Sequence, residues 1–347
     1  MTTRYDLSRA DLADLLDGEP RYRVDQLWQG LYTRLADPTD LTELPLALRS
    51  TLADLIPPAL TAVAETRSDA GDTIKWLWAL PDGKLVETVL MHYQDRSTVC
   101  VSSQAGCAMG CGFCATGQAG FERHLTTGEI VEQVVRAMQR SRPRRVANVV
   151  FMGMGEPLAN FDNTWTAVQR IHDDLGLGAR HITLSTVGIV PGIDRLAAAD
   201  LPVNLAVSLH SADDAKRDEL VPVNRHYPLH ELAAACHRYL RATRRRLSLE
   251  WAMMDQVNDN AVDSEQLADF ALPLRAHVNL IPLNPTPGWP TAGSPPERVR
   301  AFRAALLARG VNVTVRVNRG TEIDAACGQL RARVPVAVPS PARRLQH

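Results

Sequence analysis

An α/β protein is what this sequence predicts: an open, partial barrel of six strand–helix units, preceded by a helical accessory region and a β-hairpin extension. Three observations carry that expectation. The chain has 347 residues, enough at roughly 150 residues per domain for two domains or for one large α/β barrel with additions. Hydrophobic residues make up 45% and charged residues 22% of it, which supplies a sizeable core and excludes fibrous and wholly disordered classes. From residue 98 onward, short apolar runs alternate with amphipathic patterns, the rhythm of parallel strands joined by right-handed crossovers.

Residues 4 to 60 read as short helices, because Leu12, Leu15 and Leu16, then Leu27, Trp28, Leu31 and Leu35, recur at helical spacing between Pro38, Pro45 and the Pro57-Pro58 pair. Residues 1–60 are therefore assigned to a helical accessory domain and 61–97 to a β-hairpin extension, in which the runs 73–80 and 84–92 flank a Pro81-Asp82-Gly83 turn. The barrel takes 98–335, with strands expected at 98–102, 148–152, 181–186, 204–209, 247–253 and 278–283, and a further strand at 311–317. Thr126 and Glu129 form a capping box that opens a helix repeating Ile130, Val131, Val134, Val135 and Met138. Six units are too few to close an eight-stranded barrel. Trp251, Met253 and Met254 read as core, and 336–347, rich in Pro, Ala and Arg, reads as a disordered tail.

The formal net charge is −1, and of 38 basic residues only Lys75, Lys84 and Lys216 are lysines. A globally basic nucleic-acid binder is excluded, so any such partner must be met by local clusters. Two exist: Arg136, Arg140, Arg142, Arg144 and Arg145, then Arg238, Arg241, Arg244, Arg245 and Arg246. They read equally as phosphate-binding patches and as solvated helix ends. The amino terminus has no apolar h-region and no run approaches a membrane span, giving the expectation of a cytoplasmic protein without a membrane partner.

Six cysteines do not make a disulfide scaffold in a chain of this length. Cys107, Cys111 and Cys114 form C-x3-C-x2-C in a loop directly after the first barrel strand, where parallel α/β proteins place their chemistry. Structural zinc normally takes four ligands, and no fourth lies near in the usual spacing. Three thiolates suit a 4Fe-4S cluster that keeps one iron open. Gly153-x-Gly155-Glu156 follows the second strand and fails as a dinucleotide fingerprint, since the third glycine falls at Leu158. Ser185, the Ser208-Leu209-His210 run and Asn284 end the third, fourth and sixth strands; singly each reads as a cap or turn residue, but together they converge on one mouth. Cys236 reads as a core thiol, a reading also open to Cys100 and Cys327.

These motifs resemble the radical S-adenosylmethionine (SAM) enzymes, and within them the RNA-methylating RlmN/Cfr family, most of all its RlmN type. The similarity runs over nearly the whole chain, through the Cys100 to Cys107 run, Met152-Gly-Met-Gly-Glu-Pro157, Thr183 to Thr186, Ser208 to His210, Asn279 to Asn284 and Asp324 to Leu330. The resemblance implies a partial (βα)6 barrel with Cys107, Cys111 and Cys114 as cluster ligands and Gly155, Glu156, Ser185, Ser208, Leu209, His210 and Asn284 as SAM-binding residues. It implies methylation of adenine C2 in 23S rRNA and in tRNA next to the anticodon. Two SAM would be used per turnover, with electrons from a separate reductase and a monomeric enzyme.

The same resemblance implies roles for three further residues. Carbon 2 of adenine is electron-poor and does not attack the methyl group of SAM, so Cys327 would take the methyl first. A 5′-deoxyadenosyl radical would remove hydrogen from it, and the resulting methylene radical would add to C2. Glu87 would accept the C2 proton, and Cys100 would attack the Cys327 sulfur, leaving a Cys100–Cys327 disulfide. From the residues alone, Glu87 reads as a solvated strand residue. Two alternatives stay open at this point: an adenine C8 methyltransferase of the Cfr type that confers antibiotic resistance, and a non-catalytic, metal-stabilised RNA-binding protein.

Overall fold

A computed structural model describes residues 2–317 and 319–332; the assigned tail at 336–347 and the barrel's last residues, 333–335, lie outside them. The chain opens with α1 (Arg9–Leu15), α2 (Tyr22–Gln29) and α3 (Leu46–Leu55). Ser8 caps α1 through a reciprocal box with Asp11, which satisfies two amides that the first helical turn leaves unpaired. Three antiparallel strands follow, β1 (Thr61–Ser68), β2 (Thr73–Ala79) and β3 (Leu85–His92). The hairpin expected around Pro81-Asp82-Gly83 is β2–β3; β1 adds a strand that the sequence did not signal, because most of its side chains are exposed and no apolar alternation marks it.

Then comes the β/α rhythm: β4 (Ser97–Cys100), the small pair β5 (Gln104–Gly106) and β6 (Phe121–His124) with α4 (Ala115–Ala119) between them, α5 (Thr127–Ser141), β7 (Val146–Phe151), α6 (Phe161–Asp173) and β8 (Ile182–Thr186). It continues through α7 (Val190–Ala197), β9 (Asn204–Ser208), α8 (Asp214–Leu220), α9 (Leu229–Thr243), β10 (Leu247–Met253), α10 (Ala261–Ala271), β11 (His277–Pro282), α11 (Pro296–Ala308) and β12 (Asn312–Val315). Thr126 and Glu129 make the expected capping box on α5.

Ten of these strands form one sheet in the order β1-β2-β3-β4-β7-β8-β9-β10-β11-β12. Neighbours from β4 to β12 run parallel. The six expected units are present, and the further strand, β12, extends them as a seventh parallel strand. The first and last strands of the order do not pair, so the barrel is open, as six units required. The main hydrophobic core runs from Tyr5 to Leu330, and a smaller cluster holds Phe113, Leu220, Val221, Ala252 and Met254 with Cys111. The main core takes in Leu205, Val207, Leu249, Trp251 and Met253 from central strands, the Ile130, Val131, Val134 and Val135 face of α5, and Cys236. Each such aliphatic side chain contributes about 1.5–3 kcal/mol by leaving water.

The amino-terminal helices share that core. Trp28 Nε1 donates to Asp174 at 2.9 Å, and Arg170 donates to the Tyr32 hydroxyl at 2.7 Å. Among the described residues, no helix is long and apolar enough to cross a membrane.

Candidate active site

Parallel strands deliver their carboxyl ends to one face, and the site residues sit there. Cys100 closes β4, Ser185 and Ser208 lie in the last turns of β8 and β9, and Gly155, His210, Asn284 and Arg316 follow β7, β9, β11 and β12 by a few residues. A cavity at these ends, with an empty volume of about 1080 Å³ including its mouth, is lined by Cys107, Cys111 and Cys114. Gly155, Glu156, Ser185, Ser208, His210, Asn284 and Cys327 complete its wall.

The three thiols stand on the loop between β5 and α4. The Cys107 amide donates to Gly120 O at 2.8 Å and the Cys114 amide to Cys111 O at 3.1 Å. Among the described residues, no three His, Cys, Asp or Glu side chains converge as ligands of a single ion would. A cubane asks for something else, since each thiolate binds a different iron and the sulfurs stand apart around a shared volume. Three cysteines lining one cavity fit that group. Burial pushes the Cys107 thiol up to about 12 and raises Cys111 as well. Thiols in such surroundings become thiolates when a metal supplies the compensating charge.

Against Gln104, just before the loop, Gly155 has φ +99°, and a Cβ there would stand 2.5 Å from Gln104 Cβ, so only glycine fits. That turn places Glu156, whose carboxylate accepts the Leu158 amide at 3.0 Å and the Val187 amide at 2.8 Å. Burial raises its pKa to about 7 despite these donors. His210 accepts the Ala252 amide at Nδ1, 3.0 Å away. Burial lowers its pKa to about 3, so the ring is neutral with its proton on Nε2. Ser185 Oγ and Ser208 Oγ are 3.5 Å apart. Leu209 is the exception in this group. Its side chain is fully buried in the core, its amide donates to Glu250 O, and its carbonyl accepts Arg217 Nε at 3.0 Å; it borders the site through its backbone and does not line the cavity.

Cys327 lies on a segment after β12 that closes one side of the cavity. Its carbonyl accepts Asn284 Nδ2 at 3.1 Å, Gly328 O accepts the Ala115 amide at 2.7 Å, and Leu330 O accepts the Thr116 hydroxyl at 2.5 Å. A smaller cavity behind it is lined by Cys100, Met152, Arg316 and Cys327 together. The fold thus brings together two thiols that stand at opposite ends of the barrel sequence. Burial pushes the Cys100 thiol up to about 12, with Arg316 pulling the other way.

Glu87 overturns the solvated reading. It is 2% exposed, pairs with Lys75 at 2.9 Å through Oε1, and accepts the Arg331 and Ala332 amides at 2.8 and 3.2 Å through Oε2. Lys75 also donates to Asp324 O at 3.2 Å. The carboxylate lines neither cavity; as placed, it ties the Cys327 segment to the β2–β3 hairpin.

Four residues with no sequence motif complete the site. Arg217, fully buried, donates to carbonyls of Val187, Ser208 and Leu209 and so joins the loops after β8 and β9. Gln133 bridges Thr88 and Ser102. Glu250 and Arg316 line the main cavity from β10 and the end of β12. The rule that found Ser185 and Asn284, position at a carboxyl end, also finds Arg316 once β12 is counted with the parallel strands.

Neither arginine cluster is at this face. Arg142, Arg144 and Arg145 immediately precede β7, and Arg244, Arg245 and Arg246 precede β10, so both lie at the strands' amino ends, roughly 20 Å from the mouth along these strands. Several of the arginines are paired: Arg136 with Glu132, Arg144 with Asp72 and Arg238 with Asp194.

Residues 101–268 match the radical SAM superfamily. The crystal structure of a radical SAM methyltransferase from Sphaerobacter thermophilus superposes with a TM-score of 0.93 at 50% identity, over 96% of this chain and 100% of that one. Fold and cavity together define a radical SAM methyltransferase. A protein of Chloroflexus aurantiacus named as a dual-specificity RNA methyltransferase RlmN is 52% identical, over 95% of this chain and 92% of its own. One of the same name from Thermobifida fusca is 51% identical, over 91% and 90%. The chain belongs to the RlmN family of radical SAM RNA methyltransferases, enzymes that work with a 4Fe-4S cluster and SAM on RNA. A non-catalytic role for the cysteine loop is thereby set aside.

Proposed function

We propose that the chain methylates carbon 2 of adenine in 23S rRNA, and in tRNA the adenine next to the anticodon, with Cys327 as the methyl carrier. The observation that carries this reading is the shared cavity of Cys100 and Cys327 behind the main one. A simple polar methyltransferase has no use for a second thiol there, whereas a carrier that becomes covalently tied to its substrate needs one for release. Cys107, Cys111 and Cys114 would hold the cluster. Gly155, Glu156, Ser185, Ser208, His210 and Asn284, with the Leu209 backbone, would hold SAM, the buried Glu156 carboxylate receiving its ammonium.

With SAM bound, the cluster supplies the radical chemistry that activates a methyl carbon toward an electron-poor ring. The protein's part is to aim and to exclude water. Cys327 accepts the methyl from one SAM and presents it toward the cavity in which a second is bound. Asn284 and Thr116 fix the segment on one side, and Glu87 with Lys75 fixes it on the other. Glu87 would take the C2 proton after the Arg331 and Ala332 amides release its Oε2 and the segment moves to open it to the cavity; Cys100 then attacks the Cys327 sulfur, a sulfur–sulfur bond forming as the sulfur–carbon bond breaks and the freed carbon takes up a proton. A monomer in the cytoplasm, served by a separate reductase, is part of the same proposal.

Mass analysis of nucleosides from RNA treated with the reconstituted enzyme tests it. The expected product is 2-methyladenosine; 8-methyladenosine without it would replace this reading with a C8 methyltransferase.

A further inference from the structure

Of the side chains lining the two cavities, two are cations, Arg316 and Arg319. Arg319 is committed elsewhere: its guanidinium lies 4.5 Å from the Tyr93 ring centre and donates to His92 O at 2.7 Å. Arg316 is fixed at its backbone, where its amide donates to Leu280 O at 2.8 Å just past the end of β12. It is common to both cavities, and Cys327 likewise lines both while Cys100 lines the inner one. The charged and titratable groups acting on Arg316 are Cys327, Glu250 from β10, Cys100 from β4 and Tyr93 from the turn after β3. No carboxylate is in ion-pair contact with Arg316 among the described residues.

We propose that Arg316 is the counter-charge of the Cys327 thiolate, a positioning residue that readies Cys327 to accept a methyl group. The inference rests on the carrier role given to Cys327 above. In the accepting step the Cys327 thiol gives its proton to solvent and its sulfur attacks the methyl carbon of SAM. A sulfur–carbon bond forms as the sulfonium's carbon–sulfur bond breaks, and that electron pair leaves with neutral S-adenosylhomocysteine. A nearby cation raises the thiolate fraction while lowering its nucleophilicity, but a tenfold gain in thiolate costs only about threefold in intrinsic rate. The balance favours the cation.

Glu250 competes for the same charge. It is buried and accepts Asn279 Nδ2 at 2.8 Å. Burial raises its pKa, with Arg316 opposing.

The test is alkylation of the full-length protein by iodoacetamide across pH, read at each cysteine by peptide mass spectrometry, without cluster, SAM or RNA. Arg316→Gln should move the Cys327 curve to higher pH and slow its reaction near neutral pH about tenfold, with Arg316→Lys retaining most of the rate. Protection of Cys236, fully buried in α9, certifies that each variant is folded. An unchanged Cys327 curve in a folded Arg316→Gln protein overturns the proposal, as does a Lys variant as slow as the Gln one. Either result leaves the nucleoside assignment standing, because that is read on a different product.

Discussion

The two ends of the parallel strands carry different chemistry. At the carboxyl ends five thiols, two carboxylates and a buried histidine line two adjoining cavities. At the amino ends lie the arginine clusters, some neutralised by Asp and Glu and others, such as Arg244 and Arg246, exposed. A near-zero net charge conceals this sorting. Strand direction decides which residues reach the reacting atoms, and local basic density does not. On the proposed reading the target adenine meets Cys327 through the mouth, so contacts that position the base are expected there, with any contribution of the distant arginines limited to salt-sensitive, sequence-independent attraction.

Three changes probe that contrast, in descending order of effect. Glu87→Ala removes one partner of a buried pair and frees two amides of the Cys327 segment. It should cost about 3–5 kcal/mol in denaturant unfolding, the range for an uncompensated buried charge, and abolish methylation. A stability change below 1 kcal/mol would mean that the hairpin does not hold the segment.

Glu156 comes next. Its folded pKa, about 7, lies above the unfolded value of 4.5, so between those pH values the folded state binds the extra proton. Its contribution is fully present below pH 4.5 and is lost as pH rises through 7. The metal-free protein should therefore lose stability over that window, on the order of 3 kcal/mol, and Glu156→Gln should flatten the loss. A variant that tracks the parent would place the carboxylate in contact with water. The smallest effect belongs to the amino-terminal face: Arg244→Ala with Arg246→Ala should change the single-turnover methylation rate by less than about twofold at saturating RNA. A tenfold fall would break the contrast between the two ends.

Local features were legible in the sequence. The cysteine triad, the Thr126 capping box and the strand-end serines each declare themselves over a few residues, because spacing within a loop or helix fixes their geometry. The sheet's parallel part followed from the β/α rhythm. Pairings set by strand order were not legible: nothing near Glu87 announces Lys75 or the amides of Arg331 and Ala332, and the contact exists only because β2, β3 and the final segment meet in space. Arg217 and Arg316 were hidden for the same reason, as arginines in an arginine-rich chain. The burial of Leu209 follows from alternation along β9, in which Leu205 and Val207 point inward as well.

The central claim is that Cys100 and Cys327 act as one pair across the inner cavity. Reconstituted Cys100→Ala, incubated with SAM, reductant and substrate RNA and separated under denaturing conditions, measures it most directly. A protein–RNA adduct that maps to Cys327, and that disappears in the Cys100→Ala, Cys327→Ala double variant, is the expected result. Full release of methylated RNA by Cys100→Ala, with no adduct, would contradict it.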